Sequence, residues 1–460
     1  MRTSALAILL AAIVAGALLR GCALGMRELS PDEAASWAAA RAQTIGEVAA
    51  VQAQLNPGKL AVYEIAEHWW IAVFGDGLAA MRALAALCGT IAILMTFWAT
   101  RELFASRGGA QSRSDVDSIA AAAALLCAVS LVTIKYSRES RVYPLMLAAN
   151  LAQVACFLRA LRLGGAAALL GVAVLTAFSI AANFASVLTV APELLWMTMT
   201  LVGSSDRAKS GRAVRAAGAI VVGAACLVPM IPFVHESTAD ALARGTYEWI
   251  KPVPLWEPVS LFSRGTGTFP FPLLLAAAAW GIYRGWRRAR DATIFALLWM
   301  WTPPLALLAA SSLVRPLFVE RFLLPAFVPF LILAAAGICE LDRAWMRSGA
   351  LALVTLVSLA HTGAWLGKPH DAEWREATSV AAASSPRDPI TALPKYAIEV
   401  VKYYLPESER NRAQRYDADG VSAPIAIIAD SGVAPAALGE VAARYPHLVK
   451  SLRGVSVRAR

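Results

Sequence analysis

Leu29–Trp37, LSPDEAASW, follows the first apolar run of the chain and sets two adjacent carboxylates, Asp32 and Glu33, just past its end. Further on, Leu55–Asp76 reads LNPGKLAVYEIAEHWWIAVFGD, and a second apolar run begins soon after. The chain is 460 residues long, 58% hydrophobic and only 16% charged, whereas soluble domains carry about a quarter charged residues. A polar loop with paired acids and tryptophans is unusual in such a chain. It points to a catalytic loop lying on a membrane surface rather than to a simple connector.

Outward from that loop, apolar runs near the ~20 residues needed to cross a bilayer recur along the sequence. Eleven are expected, at about 5–24, 78–103, 117–134, 142–160, 166–182, 184–202, 216–234, 269–285, 293–313, 322–340 and 348–366. The third, fifth and sixth are short or closely spaced. The chain therefore reads as an all-α polytopic membrane protein. Arg2 followed by Ala5–Leu19 also fits a signal peptide, and Leu19-Arg20-Gly21-Cys22 has a faint lipoprotein-site character. The arginine two residues before the cysteine and the ten runs that follow favour an uncleaved anchor.

Arginine and lysine placement sets the orientation. Arg107 and Arg113, Arg159 and Arg162, the Arg207–Arg215 cluster, the Arg284–Arg290 cluster, and Arg343 with Arg347 fall on every second connection. With these inside, the loop at 25–77, the segment at 235–268 and the C-terminal tail lie outside, in a periplasm-like space. The net charge of +10 needs no nucleic acid as partner, because residues 371–460 are nearly balanced and the excess lies in those clusters. The six cysteines all sit in or beside apolar runs, form no CxxC, and read as small core residues.

Two domains are expected: a membrane domain over 1–370 and a small external α/β domain over 371–460. The latter rests on helix-like AEWREATSVAAA, a strand-like run at Ile425–Ile428, a helix from about Ala434 to Arg444 and a final strand near Val455–Val457. In the first loop, Ser30 and Pro31 before Asp32 and Glu33 have the form of a helix start. Two readings of the acidic pair follow, a helix start alone or a catalytic pair. From Gly58 to Val73 a second helix-like stretch places tryptophans at headgroup level. The segment at 235–268, broken by Pro252, Pro254 and Pro258, reads as a surface lid or re-entrant loop.

The external span ends collect charge of both signs: Asp32 and Glu33; Lys59 and Glu64; Lys135, Arg138, Glu139 and Arg141; Arg315, Glu320 and Arg321. Lys135 and Arg315 read as snorkelling side chains. Three charges within Arg138-Glu139-Ser140-Arg141 are costly beside hydrocarbon and mark a functional candidate. Arginine and lysine neutralise a phosphate, while a carboxylate deprotonates or orients an incoming hydroxyl. No glycine-rich nucleotide loop and no HExxH motif occurs, and the five histidines are scattered, so no cofactor and no histidine-rich metal site is expected, while the sequence leaves divalent-metal dependence open.

PDEAASW, the KLAVYEIAEHWWIAVFGDGLAAMRALAALCGT stretch, KYSRESRVYPLML and RPLFVERFLLPAFVPFLILAAAGI occur in an order that resembles the bacterial membrane glycosyltransferases of the GT-C superfamily. The resemblance is to the branch of the protein O-mannosyltransferases and the lipid A aminoarabinose transferases, and covers about residues 1–370. It implies that Asp32 occupies the catalytic acidic position with Glu33 as its neighbour. It implies substrate-binding roles for Arg138, Glu139 and Arg141 in the second external loop, for Arg321 at the late span, and for Lys59 and Tyr63. Here the chain departs from its relatives: Asn56-Pro57-Gly58-Lys59-Leu60 stands where they carry a double proline. The implied donor is a sugar on a polyprenyl-phosphate carrier, and the acceptor a lipid, glycan or protein. The rival readings are a transporter or flippase of lipid-linked sugars, which calls for midplane charges and repeat symmetry, and a glycan ligase using a lipid-pyrophosphate donor.

Overall fold

The computed structural model describes residues 3–460 apart from 106–112, 204, 244–246, 248, 369–371, 417–422, 431–440 and 442. In chain order the helices open with α1 (Thr3–Gly21), α2 (Pro31–Ala40), α3 (Ile45–Leu55), α4 (Val62–Phe74) and α5 (Leu78–Ala105). Then come α6 (Arg113–Val129), α7 (Leu131–Ser137), α8 (Tyr143–Leu163), α9 (Ala166–Ala182), α10 (Val187–Gly203), α11 (Arg207–Ala225) and α12 (Ile231–Ala243). The membrane part closes with α13 (Glu257–Thr266), α14 (Pro270–Arg288), α15 (Arg290–Leu313), α16 (Leu324–Cys339) and α17 (Ala344–Leu366). The C-terminal part holds α18 (Trp374–Ser384), β1 (Ile390–Leu393), α19 (Ile398–Tyr404), β2 (Ile425–Ala429), β3 (His447–Leu452) and β4 (Val455–Ala459).

Among the described residues, eight helices are long and apolar enough to cross a membrane, and ten if two bent pairs each count as one span. These helices account for eight of the eleven expected runs, or ten with the bent pairs. The run expected at 166–182 forms α9, a shorter apolar helix, while those at 117–134 and 269–285 belong to the bent pairs α6–α7 and α13–α14.

The chain divides into two compact units. The first comprises Met1–Cys22, Gly58–Tyr63 and Arg82–Gly367. Its core is built on large fully buried side chains such as Phe157, Phe295, Trp299 and Phe327. Helices α14 and α16 approach most closely where Gly281 and Gly337 face each other's helix; a Cβ on either would strike backbone. Small residues at such crossings let helices pack where no hydrophobic force distinguishes neighbour from lipid.

The 59° bend between α6 and α7 has a specific cause. The buried Arg20 guanidinium of α1 donates to Ala128 O (2.9 Å), Cys127 O (3.2 Å) and Thr133 Oγ1 (3.0 Å). Thr133 Oγ1 in turn donates to Cys127 O (2.6 Å) or Ser130 O (2.9 Å). Carbonyls released by the break thus find partners inside the protein, the condition for a broken helix at membrane depth. The segment at 235–268 is more helical than expected. Residues 235–243 continue α12, and Glu257–Thr266 forms α13, which meets α14 at 115°.

The second unit comprises Ala23–Pro57, Glu64–Met81 and Lys368–Arg460. Its sheet runs in the order β1-β2-β4-β3, with β1 parallel to β2 and the other pairings antiparallel. The expected strands at Ile425–Ile428 and Val455–Val457 and the expected helix at AEWREATSVAAA are present as β2, β4 and α18. The helix expected from about Ala434 to Arg444 falls largely outside the described residues. The core of this unit joins Trp374, Ile390, Ile398, Ile427 and Val457 to Leu29, Ala34, Trp37 and Met81 from the first loop and its exit. Helices α2 and α3 each start with a complete capping box, at Ser30/Glu33 and Thr44/Glu47.

Candidate functional site

The expected site residues fall into two clusters, one in each unit. In the second unit, Ser30 Oγ accepts from Glu33 N (3.2 Å) while Glu33 Oε2 accepts from Ser30 N (3.1 Å). Two backbone donors at the start of α2 are thereby satisfied reciprocally. Glu33 is buried and committed to this box; Asp32, one residue earlier in the first turn, is half-buried. One turn on, Ser36 Oγ donates to Oε1 of the fully buried Glu64 (3.0 Å), tying α2 to α4.

Trp37 closes the cluster. Its Nε1 donates to Asp76 Oδ2 (3.1 Å), Tyr403 meets its ring edge-on at 5.1 Å, and Arg41 and Arg410 lie 5.5 and 5.1 Å from its centroid. The Tyr404 phenol, which accepts from Leu29 N at 2.8 Å, is pushed above its ordinary value by burial and by its hydrogen bond with Glu28. The PDEAASW stretch is therefore held at both ends. Because glutamine completes a capping box as well as glutamate, Glu33→Gln is expected to keep wild-type stability. Glu33→Ala should cost about 1 kcal/mol, read as a lowered denaturation midpoint of the purified protein.

In the first unit, the short connection from α7 to α8 carries Arg138, Glu139, Ser140 and Arg141. Arg138 Nη1 donates to Leu19 O (3.0 Å), Arg20 O (3.3 Å) and Cys22 O (2.6 Å), the terminal carbonyls of α1. These carbonyls have no partner within their own helix, so this nitrogen of Arg138 serves as a helix cap. Glu139 is half-buried, and its carbonyl accepts from Arg141 N (2.7 Å). Tyr63 OH and Ser140 Oγ, both buried, share a hydrogen bond of 3.1 Å.

Arg141 and Arg321 converge on one ring: their guanidinium carbons lie 5.8 and 5.4 Å from the centroid of Tyr143. Arg321 also lies 5.4 Å from the ring of Trp249. Guanidinium groups on aromatic faces are held by the ring quadrupole. Beside them Tyr136 meets Tyr143 edge-on at 5.6 Å, and Glu320 stands 3.5 Å from both Tyr136 OH and Arg264 Nε.

Lys59 is buried at the start of the segment leading into α4, fixed where Leu60 N donates to Ala181 O (3.2 Å). Gly58 has φ +88°, and a Cβ there would come within 3.3 Å of Tyr247 OH. Proline, locked near −65°, cannot adopt that conformation, which gives the departure from a double proline a backbone reason. Tyr247 itself is raised by burial against the opposing charge of Arg315, whose guanidinium lies 4.8 Å from its ring.

Four participants carried no assigned role in the sequence. Glu64 and Glu320 were visible only as external charges. Tyr143 and Trp249 gave no charge signal, although Tyr143 follows Arg141 by two residues and Trp249 belongs to the aromatic-rich 235–268 segment. Among the described residues no group of three or more histidine, cysteine, aspartate or glutamate side chains is placed to hold a metal.

No family model matches the chain, and no curated protein matches it by sequence. Solved structures do. The chain is similar to ArnT from Cupriavidus metallidurans bound to undecaprenyl phosphate, with a TM-score of 0.67 and 13% identity, covering 100% of this chain and 98% of that one. It is also similar to the Archaeoglobus fulgidus oligosaccharyltransferase in complex with zinc and sulfate (TM-score 0.61, 13% identity, 92% of this chain and 68% of that one). A third match is AglB of the same organism with an inhibitory peptide and a dolichol-phosphate (TM-score 0.57, 12% identity, 93% and 69%). At such identities the likeness is one of fold: the chain shares the fold of ArnT and of the archaeal oligosaccharyltransferase.

Proposed function

We propose that the chain is an integral membrane glycosyltransferase. It moves a sugar from a polyprenyl-phosphate carrier to a lipid, glycan or protein acceptor on the periplasmic face of a bacterial inner membrane. The observation that carries this reading is the pair of arginines, Arg141 and Arg321, gathered on Tyr143 in a fold whose end-to-end neighbour was crystallised with undecaprenyl phosphate.

In the proposed reaction the acceptor oxygen attacks the anomeric carbon of the donor sugar. The bond from that carbon to the phosphate oxygen breaks, and the lipid phosphate leaves with the electron pair. Arg141 and Arg321 offset the charge that grows on the phosphate, in water-poor surroundings where such stabilisation is strongest. Lys59 adds positive charge, Tyr63 with Ser140 and Glu139 hold the charged connection in shape, and Asp32 receives the acceptor proton. Phosphate is a good leaving group, so the chemistry needs one base rather than the acid and base pair of glycoside hydrolysis. Arg138 acts from behind, anchoring the 138–141 connection to α1.

The test combines two measurements. Mass spectrometry of the envelope lipids and glycans from a deletion strain should show one missing glycosyl unit. The purified chain should transfer sugar from a polyprenyl-phosphate donor and not from a nucleotide sugar. An unchanged envelope together with carrier-lipid translocation and no transfer would replace this reading with that of a flippase; transfer only from a pyrophosphate carrier would make the protein a ligase.

A further inference from the structure

The junction of α14 and α15 carries four arginines in seven residues, Arg284, Arg287, Arg288 and Arg290. They divide into two kinds. Arg284 Nη2 and Arg288 Nη1 both reach Glu340, at 3.5 and 2.6 Å, so one carboxylate answers two charges. Arg287 and Arg290 make no ion pair among the described residues. Their guanidinium groups lie over aromatic rings instead, Arg287 4.8 Å from the centroid of Tyr283 and Arg290 5.1 Å from that of Trp286. Both rings are about half exposed, and so is Leu275 one stretch further into α14. At 100° per residue, positions 275, 283 and 286 fall on one side of the helix. Asp291, the acid next in sequence to Arg290, is exposed and forms no ion pair with either arginine among the described residues.

This is an apolar strip that ends in tyrosine and tryptophan and is capped by two arginines that have no acidic partner among the described residues. Aromatic rings of this kind settle at headgroup level, with cations just beyond them. We propose that the α14–α15 junction is a docking site for an anionic phospholipid of the adjoining leaflet. Arg287 and Arg290 donate to its phosphate, Tyr283 and Trp286 sit at the glycerol level, and the strip toward Leu275 receives an acyl chain. Charge complementarity selects this occupant: the headgroup cation of a zwitterionic lipid would sit beside the two arginines and offset the attraction of its phosphate. The site is separate from the proposed transfer chemistry and stands or falls independently of it.

The test uses the full-length chain purified from membranes, with retained and added lipid read by native mass spectrometry against phosphatidylglycerol and phosphatidylcholine. Wild type should keep phosphatidylglycerol in preference. Arg287→Gln with Arg290→Gln should lose that preference about tenfold or more, since each basic residue near an anionic lipid surface contributes appreciably to binding. Arg284→Gln with Arg288→Gln should lose clearly less of it than the 287/290 variant, because those two charges already face Glu340. Glu340→Gln, which releases them, should strengthen it. Equal retention of phosphatidylglycerol by wild type and the 287/290 variant would overturn the proposal. So would displacement of the lipid by inorganic phosphate at matched concentration, which would reassign the arginines to a soluble anion.

Discussion

Asp32→Asn is expected to insert and fold like wild type and to lose about 10²–10⁴-fold in transfer rate to a hydroxyl acceptor, the usual range for removing a general base. Magnitudes separate this outcome from a helix-start role. Asp32 stands in the first turn of α2, where a negative charge is worth about 0.3–1 kcal/mol against the helix dipole. Two to four decades in rate correspond to roughly 3–5 kcal/mol of barrier. Loss of the dipole interaction cannot account for that, and the capping box belongs to Ser30 and Glu33, which the substitution leaves intact. Initial rates measured beside a thermal denaturation curve decide the matter. An acceptor that is itself a phosphate arrives deprotonated, and with it the loss should shrink. Full activity of Asp32→Asn toward a hydroxyl acceptor would leave Asp32 as a helix-start residue only.

What could be read from the chain beforehand follows the physics of each signal. Apolar runs are long and redundant, so their positions were legible, and each coincides with helical structure. Their bends were not. The break at Ser130 depends on Arg20, more than a hundred residues away in sequence, reaching carbonyls that no local pattern marks. The helix start at Ser30 is legible because its capping signature is local, and the same signature at Thr44-x-x-Glu47 announces α3. The C-terminal strands β2 and β4 declared themselves by β-branched runs. By contrast β3, with its first five residues exposed, and the four-residue β1 carry too little pattern to stand out. In the candidate site, charged residues were visible because charge beside hydrocarbon is rare. Their division of labour was not. Arg138 and Arg141 look equivalent in Arg-Glu-Ser-Arg, and only three dimensions assign one to the carbonyls of α1 and the other to the face of Tyr143.

That division yields the second large effect. Arg138→Ala and Arg141→Ala are expected to fail in different ways. Arg138→Ala removes the donor shared by Leu19 O, Arg20 O and Cys22 O and leaves buried or half-buried carbonyls without it. Such groups cost about 1–3 kcal/mol each when unsatisfied, so this variant should show a lowered denaturation midpoint and poor yield. Arg141→Ala leaves those bonds in place, and its expected deficit is in donor binding. A charge-assisted hydrogen bond is worth about 1.5–3 kcal/mol, one to two decades in the dissociation constant of a polyprenyl phosphate, with acceptor KM little changed. Arg321→Ala should act in the same direction, because both guanidinium groups lean on Tyr143. Lysine at 141 should restore only part of the affinity, since it keeps the charge but loses the planar fork and the stacking on the ring. The measurement is binding of polyprenyl phosphate to the purified variants, with thermal stability recorded alongside. If the double variant Arg141→Ala, Arg321→Ala stays folded and binds the carrier as tightly as wild type, these arginines do not hold the donor phosphate.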